Sequence, residues 1–214
     1  MRARAWVVGS AAGAVVVGVA HAFDRALLGA LEYDDVYGDD WGRALRVLGY
    51  VPTWIVVALV FVLIDRGNRD RLAPPVRDAY TRGAALVVSA LSAGAVAEGL
   101  KLVIRRERPS DAEGYTFRAF GDGAWSTGGL GLPSSHAAVA AGACAALALL
   151  HPRAWPVFAL LAIGCAATRV MAGAHYPSDV ALGMVVGCAC AGGWWALHTR
   201  NLRRDRLAPR KGDA

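Results

Sequence analysis

Three short stretches hold residue types suited to gripping an anion and moving a proton. In the first, Lys101 and Arg108 are seven apart, about two helical turns, so a helix continued through them projects both from one face with Arg105 beside them. Pro109 disfavours helical conformation at Arg108 and ends that helix there. Glu98, three residues before Lys101, is within pairing reach. Such a basic stripe either holds an anion or snorkels to lipid headgroups; the segment alone leaves both readings open. In the second, Pro133-Ser134-Ser135-His136 precedes an apolar run. A serine there reads as a helix N-cap, and the first turn behind it offers free N–H groups and the positive end of the dipole. A capped helix with an incidental histidine is the plainer alternative. In the third, Arg169 is followed by His175 and Asp179, with Pro177 suited to a first helical position. A carboxylate four residues from a histidine can take its ring N–H and free the other nitrogen to act. Singly, these residues also read as an interfacial anchor, a loop histidine and a dipole-favoured cap.

The elements that must position these groups are membrane spans. The chain has 214 residues, 56% apolar and 19% charged, with a formal charge of +6 and a mean hydropathy of +0.37. That excludes a disordered chain, and charge is lower than the ~25% usual in soluble domains. Six apolar runs approach the ~20 residues that cross a bilayer core, at 5–22, 47–64, 79–104, 134–150, 154–172 and 179–198. Backbone groups in lipid must be satisfied internally, so the runs are helices. The expectation is one all-α domain over 1–214, a bundle of six transmembrane helices. The charged stretch 65–78 is a linker, and 199–214 a basic tail.

Arginine placement sets the orientation. Arg2 and Arg4, then Arg66, Arg69, Arg71 and Arg77, then the tail with Arg200, Arg203, Arg204, Arg206, Arg210 and Lys211 share one side. Both termini are therefore expected in the cytoplasm. The opposite loop, 23–46, holds six acids against Arg25, Arg43 and Arg46. Trp6, Trp54, Trp155, Trp194 and Trp195 sit near span ends, as an interfacial belt would. Lys101, Arg105, Arg106, Arg108 and Arg118 break the pattern, because they fall on the outer side; an anionic ligand would explain them. Residues 1–22 also have the make-up of a cleavable signal peptide ending in Ala20-His21-Ala22. Cys144, Cys165, Cys188 and Cys190 lie inside spans and suggest neither a disulfide framework nor a metal site. The cytoplasmic arginines are accounted for by topology, so no nucleic-acid partner is expected.

Together, Lys101-x6-Arg108-Pro109, Pro133-Ser134-Ser135-His136 and Arg169-x5-His175-x3-Asp179 resemble the three-part signature of the type 2 phosphatidic acid phosphatase superfamily. Two positions depart: Ser135 stands where the family usually has glycine, and Thr168 where it has serine. The motifs cover 101–179, and residues 1–78 resemble the family only in carrying two apolar spans.

The resemblance implies roles. His175 would be the nucleophile that forms a phosphohistidine, oriented by Asp179. His136 would protonate the leaving oxygen and then activate water. Lys101, Arg108, Arg169, Ser134 and the N–H groups at Ser135 and His136 would hold the phosphoryl oxygens, without a metal or other cofactor. The substrate class it implies is a membrane lipid phosphate: undecaprenyl diphosphate, phosphatidic acid, phosphatidylglycerol phosphate or lipid A. The site would face the periplasmic side of the inner membrane. A lipid phosphotransferase, a vanadate-dependent haloperoxidase and a non-catalytic lipid-phosphate binder or transporter are the competing readings. The apolar spans oppose the haloperoxidase, and the intact His136, His175 and Asp179 oppose the silent binder. Substrate choice would rest on the Gly-rich loop 110–132, whose Phe117, Phe120 and Trp125 either contact lipid or anchor the loop at the interface.

Overall fold

The computed structural model describes residues 2–67, 79–110 and 114–207. Most of the expected linker (68–78, with Arg69, Arg71 and Arg77) and the end of the tail (208–214, with Arg210 and Lys211) lie outside the described residues. The described chain is helical: α1 (Arg2–Ala22), α2 (Asp24–Leu31), α3 (Asp40–Val47), α4 (Val51–Gly67), α5 (Ala79–Ile104), α6 (Ser135–Leu150), α7 (Trp155–Met171) and α8 (Pro177–Leu207), with a 3-10 turn at Pro152–Ala154 before α7.

Helix α6 is the hub. It packs most extensively on α8, then on α5 and α7, and most of its residues are buried alanines with Gly142, Cys144, Leu147 and Leu150. Small side chains let helices approach closely, which is how helices associate where the surrounding solvent is itself apolar. At Gly187 a β-carbon would run into the carbonyl of Ala138, so α6 and α8 touch backbone to backbone there. Helix α1 lies outside this core and packs on α8, with Gly13 against Val185.

Three helices are long and apolar enough to cross a bilayer alone: Arg82–Ile104, Pro152–Met171 and Pro177–Arg200. Two bent pairs, Trp6–Ala22 with Asp24–Leu31 (68°) and Asp40–Val47 with Val51–Ile64 (71°), raise the candidates to five if each pair is one span. The fourth apolar run falls short. Its 16 residues reach only about 24 Å at ~1.5 Å per residue, against a hydrocarbon core of ~30 Å.

Three local expectations need correction. Helix α5 stops at Ile104, four residues before Arg108. Arg105 then turns into the left-handed region at φ 58°, which L-residues adopt only when the surroundings impose it. Here its side chain donates to the carbonyls of Arg118, Ala119, Asp122 and Ala124. It therefore braces the loop from inside and does not extend a basic stripe. The segment 23–46 is not simply an open loop, because it folds into α2 and α3, and its Asp24 is buried. Trp54 is no belt residue: it is 3% exposed, with its indole N–H on the carbonyl of Leu48.

Candidate active site

The three sequence stretches converge at one end of the bundle. Lys101, in the last turn of α5, is buried. Its Nζ lies 2.8 Å from Glu98 Oε1 and 2.8 Å from Ser135 Oγ, and the Ser135 hydroxyl donates to the same Glu98 oxygen. The expected Glu98–Lys101 pair is present. Ser135 adds something a glycine could not, a hydroxyl tying the start of α6 to the end of α5. Arg108 follows the break in α5 and is exposed; its backbone N–H donates to the carbonyl of Gly129. Its charge interacts with those of Arg169, Asp179 and Glu98.

Ser134 occupies the N-cap position of α6, but its side chain makes no capping bond. Its backbone N–H instead donates to the carbonyl of Asp179, which joins the second stretch to the third. Ser134 Oγ and His136 Nε2 are buried with no protein partner. Gly49 lies against the His136 imidazole, and the ring of Tyr50 meets it edge-on at 4.8 Å.

His175 lies just before α8 and is 1% exposed. Its Nδ1 is 3.5 Å from Asp179 Oδ2, just beyond hydrogen-bond range, and has no other partner. Burial pushes this imidazole below the ordinary histidine value; Asp179 opposes the shift, while Arg169 and Arg108 add to it. The shift favours the neutral ring, the form with a free lone pair. Asp179 is itself held on both oxygens. Oδ2 accepts the Tyr176 N–H at 2.9 Å, and Oδ1 accepts from Arg106 at 2.5 Å.

Arg169, near the end of α7, donates to the Tyr37 hydroxyl at 2.7 Å, while its buried Nε has no partner. Thr168 lies beneath it, with its hydroxyl on the carbonyl of Cys165. Tyr37 carries a second guanidinium, Arg46 at 4.4 Å from the ring centroid, and Arg46 also lies 5.9 Å from the Tyr50 ring.

Lys101 is thus tied to Ser135, and Ser134 and His175 to Asp179, while Arg108, Arg169 and His136 join them through the interaction of their charges. The sequence reading missed Tyr37, Arg46, Tyr50, Asp24 and Arg106 as neighbours of the site. Arg106 carried a signal, being one of the outer cations that broke the arginine bias. The other four gave none, since Asp24, Tyr37 and Arg46 belong to the segment counted as an outer loop and Tyr50 to the second apolar run. No cluster of three or more His, Cys, Asp or Glu side chains placed to hold a metal occurs among the described residues. Their cysteines are free thiols.

An apolar groove of about 690 Å³ runs along α1, α7 and α8, lined from Trp6 and Cys188 to Leu27, Val170, Pro177 and Val180. Pro177 and Val180, close to Asp179 in sequence, line one part of it, but none of the polar residues of the site does.

The sequence resembles known proteins over the same region. The relatives include the Lipid A 1-phosphatase of Rhizobium etli, 38% identical over 117 residues, covering 55% of this chain and 48% of the relative. The Lipid A 1-phosphatase of Rhizobium johnstonii is 37% identical over 117 residues, covering 55% and 46%. The chain thus matches about half the length of these curated relatives. No solved structure matches it. The sequence model of the PAP2 superfamily matches residues 82–203, which contain all three stretches, and the chain belongs to that superfamily.

Proposed function

We propose that this chain is an integral-membrane lipid phosphatase that removes a phosphoryl group, as monoester or diphosphate, from a lipid headgroup. The observation that carries the reading is the convergence of a buried and a half-buried imidazole, a carboxylate and three cations around the start of α6. Phosphoryl transfer needs positioning and charge stabilisation above all. The apolar groove along α1, α7 and α8, and relatives that are Lipid A 1-phosphatases, support a lipid substrate.

The neutral His175 attacks phosphorus through its ring nitrogen, and the phosphorus–oxygen bond to the lipid breaks. His136 donates a proton to that leaving oxygen, so the lipid departs as an alcohol or a lower phosphate. Asp179 closes on Nδ1 and stabilises the charge that develops on His175, as the acid of a hydrolase triad does. In the second step His136 takes a proton from water, which attacks the phosphohistidine and frees inorganic phosphate. Lys101, Arg108 and Arg169, with Ser134 and the N–H groups of Ser135 and His136, hold the phosphoryl oxygens throughout. These cations and the helix N-terminus do the work that a metal does elsewhere, so the reaction proceeds without one.

The reading includes topology. The chain crosses the inner membrane six times, with α6 as a short crossing sheltered by α5, α7 and α8. Both termini are cytoplasmic and the site faces the periplasmic side. The arginine distribution and the placement of the site at one end of the bundle support this.

The test is phosphate release by the purified full chain in detergent from a panel of lipid monophosphates and diphosphates. At least one is expected to be hydrolysed by the wild type and not by His175→Ala. Equal release by both would end the reading.

A further inference from the structure

A buried set of charges beside the site has no part in gripping phosphate. Arg106 is 2% exposed and Asp24 is 1% exposed. Asp24, in the first turn of α2, accepts the Ser178 N–H at 2.7 Å, the Ser178 hydroxyl at 2.5 Å and the Tyr115 hydroxyl at 2.9 Å. Arg106 donates to Ser178 Oγ at 2.7 Å and to Asp179 Oδ1 at 2.5 Å, with its other terminal nitrogen 3.7 Å from Asp24. The rings of Tyr115 and Tyr176 lie 4.9 and 5.2 Å from the guanidinium and wall it in. A chain of alternating charge therefore runs Asp24, Arg106, Asp179, and ends at His175.

We propose that Asp24 and Arg106 are a positioning pair for Asp179, which hold its carboxylate in the orientation that His175 requires. The inference rests on the roles proposed for Asp179 and His175. Asp179 could otherwise turn about its own side chain. Arg106 holds one oxygen and the Tyr176 N–H the other, so the oxygen facing His175 Nδ1 is fixed. Asp24 anchors the first turn of α8 through Ser178 and orients the guanidinium from behind. Burying three charges is costly, and packed apolar side chains would stabilise the fold at least as well. What the ions supply is a fixed direction and a fixed potential at Asp179. Asp24 lies outside residues 82–203, the part matched by the PAP2 model. The positioning pair thus joins an N-terminal element of this chain to the family's third stretch.

The two charges should act on His175 in opposite senses. The other charged or titratable groups around His175 and Asp179 are Arg169 from α7, His136 from α6 and Arg108 after α5. Tyr115 and His21 stand behind Arg106, against Asp24. These stay in place in every variant.

The experiment is NMR titration of His175 in the full chain in detergent, with ring-labelled histidine and His175→Ala to assign the signal. Phosphate release is measured alongside. Arg106→Gln removes a positive charge beside Asp179, so the His175 titration should move up by about half a unit or more. Asp24→Asn leaves Arg106 less compensated, so it should move down. Arg106→Gln should lower kcat about 10- to 100-fold, as loss of an orienting partner does, with KM within about threefold. Arg106→Lys, which keeps charge but not the fork, should restore the titration more fully than kcat. Asp24→Asn should cost little further kcat in the Arg106→Gln background, because the two act through one carboxylate. A His175 titration unmoved in both variants, or moved in the same direction, would overturn the pair whether or not the wild type is active. Opposite shifts with an inactive wild type would leave the pair standing and sink the phosphatase reading. Should Arg106→Gln fail to fold, Arg106→Lys and Asp24→Asn decide the matter by the same two readouts: a lowered kcat in the first and a downward titration in the second uphold the pair, and neither change overturns it.

Discussion

Gly49 lies flat against His136. A β-carbon on Gly49 would sit 2.5 Å from the imidazole Cδ2 and 2.7 Å from its Cβ, closer than any real contact. The turn between α3 and α4 therefore sets where the His136 ring can lie. Gly49→Ala should push the ring off its place and lower kcat about 10- to 100-fold, the scale of a 1 Å misplacement of a reacting group. Overpacking should also cost about 1–3 kcal/mol of stability. Phosphate release and thermal unfolding in detergent check the two effects. Wild-type kcat in Gly49→Ala would mean that His136 needs no fixed position.

In the proposed mechanism His136 and His175 serve different steps, so their loss should look different. His175→Ala should lower turnover by about 10³-fold or more, as loss of a nucleophile does. His136→Ala should spare substrates with a good leaving group in the first step and stall the second. Acid-labile, base-stable phosphate should then build up on the protein. Rapid quenching with a labelled aryl phosphate measures it, and equal losses with both leaving groups would contradict the assignment.

The pH profile follows from the burial of His175. Its folded-state value is pushed down, and attack requires the neutral ring. Activity should therefore persist below the ordinary histidine value of ~6.5 and fall only as pH passes the lower folded value. The same linkage bears on stability. An unfolded histidine takes its proton first as pH drops, so the folded state should lose stability from about pH 6.5 downward, until the folded group also protonates. A kcat/KM profile that bends at or above the ordinary value would contradict a buried neutral nucleophile.

Arg46 is half-buried, with its Nε unpartnered and its guanidinium packed on Tyr37 and Tyr50. A cation held by rings, with no acid paired to it among the described residues, should draw anionic headgroups in. Arg46→Gln should raise KM about 3- to 10-fold with kcat within twofold, and the difference should shrink with added salt, since screening weakens such attraction. Measuring KM at two ionic strengths checks both halves.

A site that uses cations and a helix N-terminus should ignore chelators and bind phosphate mimics. EDTA should leave phosphate release unchanged. Vanadate, which adopts the five-coordinate geometry of the transition state, should inhibit competitively. Loss of activity in EDTA with recovery in magnesium would refute the metal-free mechanism.

How much was legible in the sequence differs from residue to residue. Lys101 with Glu98, and Pro177 at the start of α8, follow from spacing a few residues long, because helix geometry and proline stereochemistry are local. The apolar runs were visible for the same reason: each is a composition over one short window. The signature stretches gave the family, which the match over residues 82–203 bears out.

What spacing could not give was any relation that depends on distant chain segments meeting. The run 79–104 matched α5, but the turn of Arg105 away from a basic stripe is set by the loop carbonyls that collect around it, up to 19 residues away. The place of α6 as the buried hub was hidden because an apolar run reads alike in a membrane span and in a core helix. Asp24 and Arg46 looked like solvated loop charges, and only the packing of α2 and α3 against α7 and α8 buries one and brings the other to His136. Local chemistry along the chain thus determined which groups could react, whereas their orientation was decided by long-range contacts, since a side chain's direction depends on neighbours that the sequence does not place beside it.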